Sequence, residues 1–143
     1  MTRGTPPTLK QFPWATSHEL RFADLDLLGH VNNGAYMTLM ENCRASLLMQ
    51  PDMAATGLSH FVLAHFEIDF LQDLKWPGQV EATAAITHVG LTSFRMKHAI
   101  FSGETCVSHA EGVLVVIDSS SRRPVPLGPD AIAFLQRFWL KAE

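Results

Sequence analysis

Residues 20–44, LRFADLDLLGHVNNGAYMTLMENCR, place two acids, a Gly-His turn and two asparagines directly before an apolar helical run. A helix N-terminus presents N–H groups without intrahelical partners and a partial positive charge. An acid held in a turn beside that end has what chemistry on a polarised carbonyl requires. The carboxylate supplies a base or nucleophile, and the N–H groups receive the developing oxyanion. The stretch therefore points to acyl transfer or hydrolysis rather than to a plain scaffold.

The periodicity changes on either side of this turn. From Thr16 to Ala23 the chain alternates as a strand, with Leu20 and Phe22 on one side. Asp24–Asn33 is turn-like, with Gly29 as its flexible point. From Gly34 to about Gln50 the pattern is helical, because Tyr36, Met40, Cys43 and Leu47 recur at i, i+4, i+7 and i+11. Ala35, Met37, Ala45 and Leu48 add apolar cover on other sides, so the helix is expected to be enclosed. Asn32 or Asn33 is the natural N-cap, and Pro51 ends the run.

The remainder reads mostly as strand: Phe61–Leu71, Val80–Val89, Ser93–Ser102 and Thr105–Asp118, separated by Trp76-Pro77-Gly78, Gly90 and Gly103-Glu104. Such short separations favour antiparallel neighbours. Ser119–Pro126 is a loop, and Pro129–Leu140 is a closing helix with Ile132, Leu135 and Trp139 on one face. One long helix followed by a meander of long strands predicts an α+β layer arrangement, an antiparallel sheet wrapped around the helix. The expected organisation is an N-terminal arm over residues 1–15 and a single domain over 16–143.

Composition narrows the function. The 143 residues suffice for one core without metals or disulfides. Only 17% are charged, which hints at extra buried surface between subunits. The formal charge of −3 offers no basic stripe for nucleic acid. Cys43 and Cys106 lie far apart with no CxxC spacing, as expected of thiols in a reducing compartment. The opening MTRGTPPTLKQFPW puts prolines where a signal peptide needs an apolar core. Apolar runs such as Val113–Ile117 are far too short to span a bilayer. A cytoplasmic protein without a membrane partner is the expectation. His60, His65, His88, His98 and His109 show no HxH, HxxxH or HExxH spacing, so no metal site is expected. No GxSxG elbow or glycine-rich phosphate loop is present.

The order of strand, D-x-D turn, G-H-V-N-N, helix and strands resembles the hotdog-fold acyl-CoA thioesterases of the 4-hydroxybenzoyl-CoA thioesterase-like family. Arg21, Asp24, Asp26, Gly29-His30-Val31-Asn32-Asn33, Tyr36, Glu41 and Arg44 fit its N-terminal pattern. His109-Ala110-Glu111-Gly112 through Val116-Ile117-Asp118, then Arg123-Pro124-Val125-Pro126, fit its last strand and exit loop. The resemblance covers roughly residues 16–140. It implies a sheet wrapped around the central helix, subunits paired edge to edge as a homodimer or homotetramer, and a thioester bound at the subunit interface. It also implies that Asp26 is the catalytic carboxylate and that a backbone N–H near Asn33 polarises the carbonyl. The related plant acyl-ACP thioesterases carry an acid, an asparagine and a histidine in this turn. Asp26 and His30 match two of those positions, and Leu28 stands where the asparagine would be.

Each candidate has a chemical role and a structural alternative. Asp26 either attacks the thioester or activates water; otherwise it is a turn aspartate. Asp24 pairs with Arg21 or caps the turn, and its ionisation couples to that of Asp26 if the two lie close. His30 orients water, binds the thioester, protonates the leaving thiolate or ties down the turn. Asn33 and Gly34 act through their backbone. Tyr36, Met37 and Met40 line an acyl channel, and His65 begins the strand that crosses the site in relatives. Glu41 and Arg44, at i, i+3, form an ion pair on the helix. Arg95, Lys97, Arg122 and Arg123 are the candidates for the phosphates of coenzyme A, which enters as part of the substrate. No metal or redox cofactor is implied. The competing readings are an acyl-ACP thioesterase, which the net charge disfavours, a non-catalytic acyl-CoA-binding module, and a dehydratase.

Overall fold

The computed structural model describes residues 4–143. In chain order its elements are β1 (Trp14–Glu19), α1 (Asn33–Leu48), α2 (Pro51–Ala54), β2 (Phe61–Phe70), β3 (Gln79–Val89), β4 (Ser93–Ser102), β5 (Thr105–Val116) and α3 (Gly128–Gln136). The five strands form one sheet in the order β1-β3-β4-β5-β2, antiparallel at every pairing. This is the α+β hotdog arrangement, an antiparallel sheet curved around a long helix, with a short helix near the C-terminus. Among the described residues no helix is long and apolar enough to cross a membrane.

Small side chains set the approach of α1 to the sheet. Ala82 and Ala84 of β3 face the helix with no solvent exposure, and the Cys43 Sγ donates to the Ala82 carbonyl at 3.3 Å. Around them Leu47, Ile86, Phe94, Met96 and Leu114 close one end of the core. Tyr36, Met40, Val80, Ile100 and Val107 close the other. Gly112 opens space on β5, since a Cβ there would lie 3.1 Å from Phe66 Cδ1.

Several boundaries differ from the sequence expectation. The first strand begins at Trp14, not Thr16, and stops at Glu19, because Phe22–Asp24 is a 3₁₀ turn closed by the Arg21 N–H on the Asp24 carboxylate. Phe22 is consequently exposed beside Trp76, away from the buried Leu20. Within the expected arm, Phe12 is buried with Ala85, Ala99 and Phe101 on the outer face of the sheet, and residues 1–3 lie outside the described residues. The last helix ends at Gln136 because the backbone beyond it is spent on β3: Ile86 N–H donates to Phe138 O, and Leu140 N–H to Ile86 O. Ala131, Phe134 and Leu135 form its buried face, while Trp139 is substantially exposed. The helix α1 is not enclosed either. Met37, Glu41 and Asn42 remain exposed along its flank.

One polar pair interrupts the core. Arg44 does not pair with Glu41; it turns inward, where its Nη1 donates to His98 Nε2 at 3.4 Å. His98 Nδ1 lies 3.0 Å from the Thr83 carbonyl, which only accepts, so this nitrogen carries the proton and Nε2 is bare. Burial, with the Arg44 charge beside it, pushes the His98 pKa down to about 3. The unfolded chain then takes up a proton below pH ~6.5 that the folded one refuses. Folding stability should therefore fall as pH drops from ~6.5 towards 3, by at most about 1.4 kcal/mol per pH unit from this group. Urea unfolding of His98→Gln, which keeps an acceptor for Arg44 without titrating, should show a flatter profile across that window.

Candidate active site

The D-x-D turn is a miniature hairpin. Leu25 and Val31 form an antiparallel bridge; Asp26 N–H donates to His30 O at 2.9 Å, and Asn32 N–H to Asp24 O at 2.7 Å. Gly29 sits at its tip with φ +76°, a conformation that glycine adopts without strain. These bonds place Asp26 and the start of α1 side by side.

The two acids of the turn are not equivalent. Asp24 is bound by Arg21, whose Nη2 lies 2.8 Å from Oδ1, and this hydrogen bond holds its carboxyl below the usual range. Asp26 instead accepts the N–H groups of Leu28 at 2.9 Å and His30 at 3.2 Å, both on Oδ1. Among the described residues no partner occupies its Oδ2. Asp26 borders an open cavity of about 590 Å³ with Phe22, Leu25, Leu27 and Asn32. Asp24 is thus held in an ion pair, whereas Asp26 keeps one carboxylate oxygen without a partner among the described residues.

The helix end sorts its own donors. Asn32 is the N-cap: its Oδ1 accepts from Gly34 N–H at 2.7 Å, and its carbonyl accepts from Ala35 N–H. The Gly34 N–H is therefore already spent. The Asn33 N–H, which has no acceptor among the described residues, is the donor left to face a ligand. The Asn33 side chain is exposed.

A clamp holds this assembly to the sheet. Val31 N–H donates to Leu74 O, and the Tyr36 hydroxyl accepts from Leu74 N–H and donates to Gln72 O. Leu71 and Gln72 in turn donate to Val107 O on β5. Tyr36 thereby serves the frame of the site, and burial raises its pKa. His30 borders the turn from its second strand, with Nδ1 3.8 Å from Asp73 Oδ2.

Other sequence candidates fall elsewhere in the chain. Met37 lies one turn below Asn33 and is exposed on the open flank of α1. His65 points to the outer face of β2, beside Glu67 at 2.9 Å, because the bulge between Leu63 and His65 resets the alternation. It does not line the helix side. Arg95 is also on the outer face, between the inward-facing Phe94 and Met96. Arg122 has φ +63° in the loop after β5, which is closed by the bridge between Ile117 and Pro124. Within one chain neither arginine is brought together with Asp26. Among the described residues, no group of three or more His, Cys, Asp or Glu side chains converges as metal ligands do.

The sequence matches the pattern of the Thioesterase superfamily over residues 28–108. No protein of curated function matches it. Among solved structures, a thioesterase from Thermus thermophilus, complexed with coenzyme A and Zn, is 30% identical with a TM-score of 0.80, over 90% of this chain and 96% of that one. A predicted thioesterase from Bacillus stearothermophilus is 21% identical with a TM-score of 0.82, over 91% and 98% of the two chains. A 1,4-dihydroxy-2-naphthoyl-CoA thioesterase from Synechocystis is 18% identical with a TM-score of 0.73, over 86% and 95%. The last two likenesses are of fold alone.

The cap makes a simple check of the local geometry. Asn32→Ala should cost about 1 kcal/mol of stability, measured by urea unfolding, because the Gly34 N–H loses its side-chain acceptor.

Proposed function

Because this chain belongs to the thioesterase superfamily and is a thioester hydrolase, we propose that its substrate is an acyl-CoA, cleaved by Asp26 at the start of α1. The observation that carries this reading is the Asp26 carboxylate. One oxygen is immobilised by two backbone N–H groups, and the other borders a cavity that ends at the helix N-terminus. The coenzyme A held by the Thermus thermophilus relative supports the choice of carrier.

A thioester carbonyl is weakly resonance-stabilised, so a carboxylate is sufficient to drive its hydrolysis. Asp26 Oδ2 takes a proton from water as the water oxygen bonds to the acyl carbon. The Asn33 N–H receives the oxyanion that forms. Collapse breaks the C–S bond, and the thiolate leaves without needing a strong acid. His30, at the far side of the turn, orients the water. The same geometry permits direct attack by Asp26 to give an acyl-enzyme anhydride, and trapping that anhydride separates the two routes. The chain's own carboxylate and backbone supply the chemistry, with no cofactor taking part.

The site is completed by a second copy. The outer edge of β2 carries the exposed Val62 and Leu63, and β2 runs from the C-terminal end of α1 towards its N-terminal end. Antiparallel pairing of two such edges brings the Arg122 loop of one copy beside the Asp26 turn of the other, supplying cations for the phosphates of coenzyme A.

Two measurements test this. Asp26→Asn should lower kcat by about 100-fold or more on a panel of acyl-CoAs, followed by thiol release. Undiminished turnover would sink the role of Asp26, and no turnover by the wild type on any acyl-CoA would sink the substrate assignment. Arg122→Gly, which preserves the backbone conformation, should raise KM for acyl-CoA about tenfold, as expected for one lost charge-assisted contact. Its KM for an acyl N-acetylcysteamine thioester, which lacks the phosphates, should not change.

A further inference from the structure

Arg44 is a charged side chain without a contact ion pair; the Glu41 carboxylate acts on it only from a distance. Arg44 is only 7% exposed, yet among the described residues no carboxylate oxygen lies within 4 Å of its guanidinium. Its recorded contacts are the hydrogen bond to His98 and the ring of Phe66, whose centroid lies 5.9 Å away. A buried, unpaired guanidinium is expensive, and a fold retains such a group where something else supplies the missing charge. The protein also invests in holding it. The Thr83 carbonyl fixes the tautomer of His98, His98 fixes Arg44, and Gly112 leaves room for Phe66.

The same guanidinium borders a cavity of about 330 Å³ between α1 and the β2 edge. Its walls include Leu48, Phe61, Leu63 and Leu114. Arg44 is the only cation among its lining residues, and Glu41 is the only acid. Glu41 is exposed to solvent and outside contact distance of Arg44. The cavity lies on the same side of the helix as the proposed oxyanion donor. Eleven residues separate Asn33 from Arg44, which returns the helix to within about 20° of its starting direction after a rise of ~16 Å. A helical side chain leans towards the N-terminus, so the guanidinium reaches back to roughly 10 Å from the Asn33 N–H. Met37 lies between the two on the same flank, exposed. An acyl group with its carbonyl at Asn33 would follow this flank past Met37 to reach Arg44.

We propose that Arg44, locked by His98, is a specificity-determining residue that receives a carboxylate at the far end of the acyl group, making ω-carboxyacyl thioesters the preferred substrates. This rests on the acyl-CoA reading given above. The guanidinium fork matches a carboxylate in shape as well as charge. A neutral hydroxyl would bring no charge into contact with the guanidinium. The remaining apolar walls suit the methylene chain between the two ends.

Octanedioyl-CoA and octanoyl-CoA differ only in the terminal carboxylate and make the test. Wild-type kcat/KM should favour octanedioyl-CoA at least tenfold, and in Arg44→Met the ratio should fall to one or below. Arg44→Lys, which keeps the charge but loses the fork, should give an intermediate ratio and serves if the methionine variant does not fold. Calorimetric binding of free octanedioate, but not octanoate, to the wild type and not to the Arg44 variants provides a readout independent of turnover. Hydrolysis of octanoyl-CoA as efficient as that of the diacid would overturn the inference while leaving the thioesterase reading intact. A ratio unchanged in Arg44→Met, or equal preference for 8-hydroxyoctanoyl-CoA, would overturn it as well. Failure to hydrolyse any acyl-CoA, with octanedioate still bound through Arg44, would instead sink the acyl-CoA reading alone.

Discussion

The close approach of α1 to β3 is the constraint on which the other contacts depend. Ala82 and Ala84 leave room for the helix to press onto the sheet, until the Cys43 thiol reaches a strand carbonyl. Larger residues there would lift the helix and open voids around Met40 and Leu47, both without solvent exposure. With that separation set, the N-terminus of α1 arrives at the level of Leu74. The Tyr36 hydroxyl and the Val31 N–H then meet the segment that closes β2. A packing distance in the middle of the molecule thereby positions donors at its edge.

The polar groups around α1 follow a common logic of spent and unspent partners. Asp24 is spent on Arg21, and the Gly34 N–H on Asn32. Asp26 Oδ2 and the Asn33 N–H are left over, because the hairpin of residues 24–32 has no further groups to give them. At the other end of the same flank, Arg44 is held by a neutral histidine that cannot neutralise it. The groups proposed to react with and to recognise a substrate are those that the local structure leaves unsatisfied after its own hydrogen bonds are made.

Much of this was legible in the chain. The i, i+4, i+7, i+11 stripe identified α1, and Tyr36, Met40, Cys43 and Leu47 are all buried. The turn punctuation located the four later strands to within two residues at either end. Asn32 as cap and Asp24 as partner of Arg21 were both among the alternatives that local sequence rules allow. Less was legible where distant segments compete for the same backbone. The last helix is shorter than its apolar pattern because Phe138–Leu140 pairs with Ile86, and the first strand ends early because Arg21 and Asp24 close a turn. The face that His65 takes was not legible, since a bulge shifts side-chain parity without leaving a mark in composition.

By itself, then, the sequence determined the periodic elements, the N-terminal cap and the acid-bearing turn, because these depend on interactions spanning a few residues. Tertiary structure alone decided how the turn is fastened to the sheet at Leu74, and that Arg44 turns inward to His98 rather than along the helix to Glu41. Those outcomes depend on partners far apart in the chain: Val31 and Tyr36 on the loop at Leu74, Arg44 on β4 and β2. Their meeting is set by how closely a helix can pack on a sheet, and no local pattern encodes that distance.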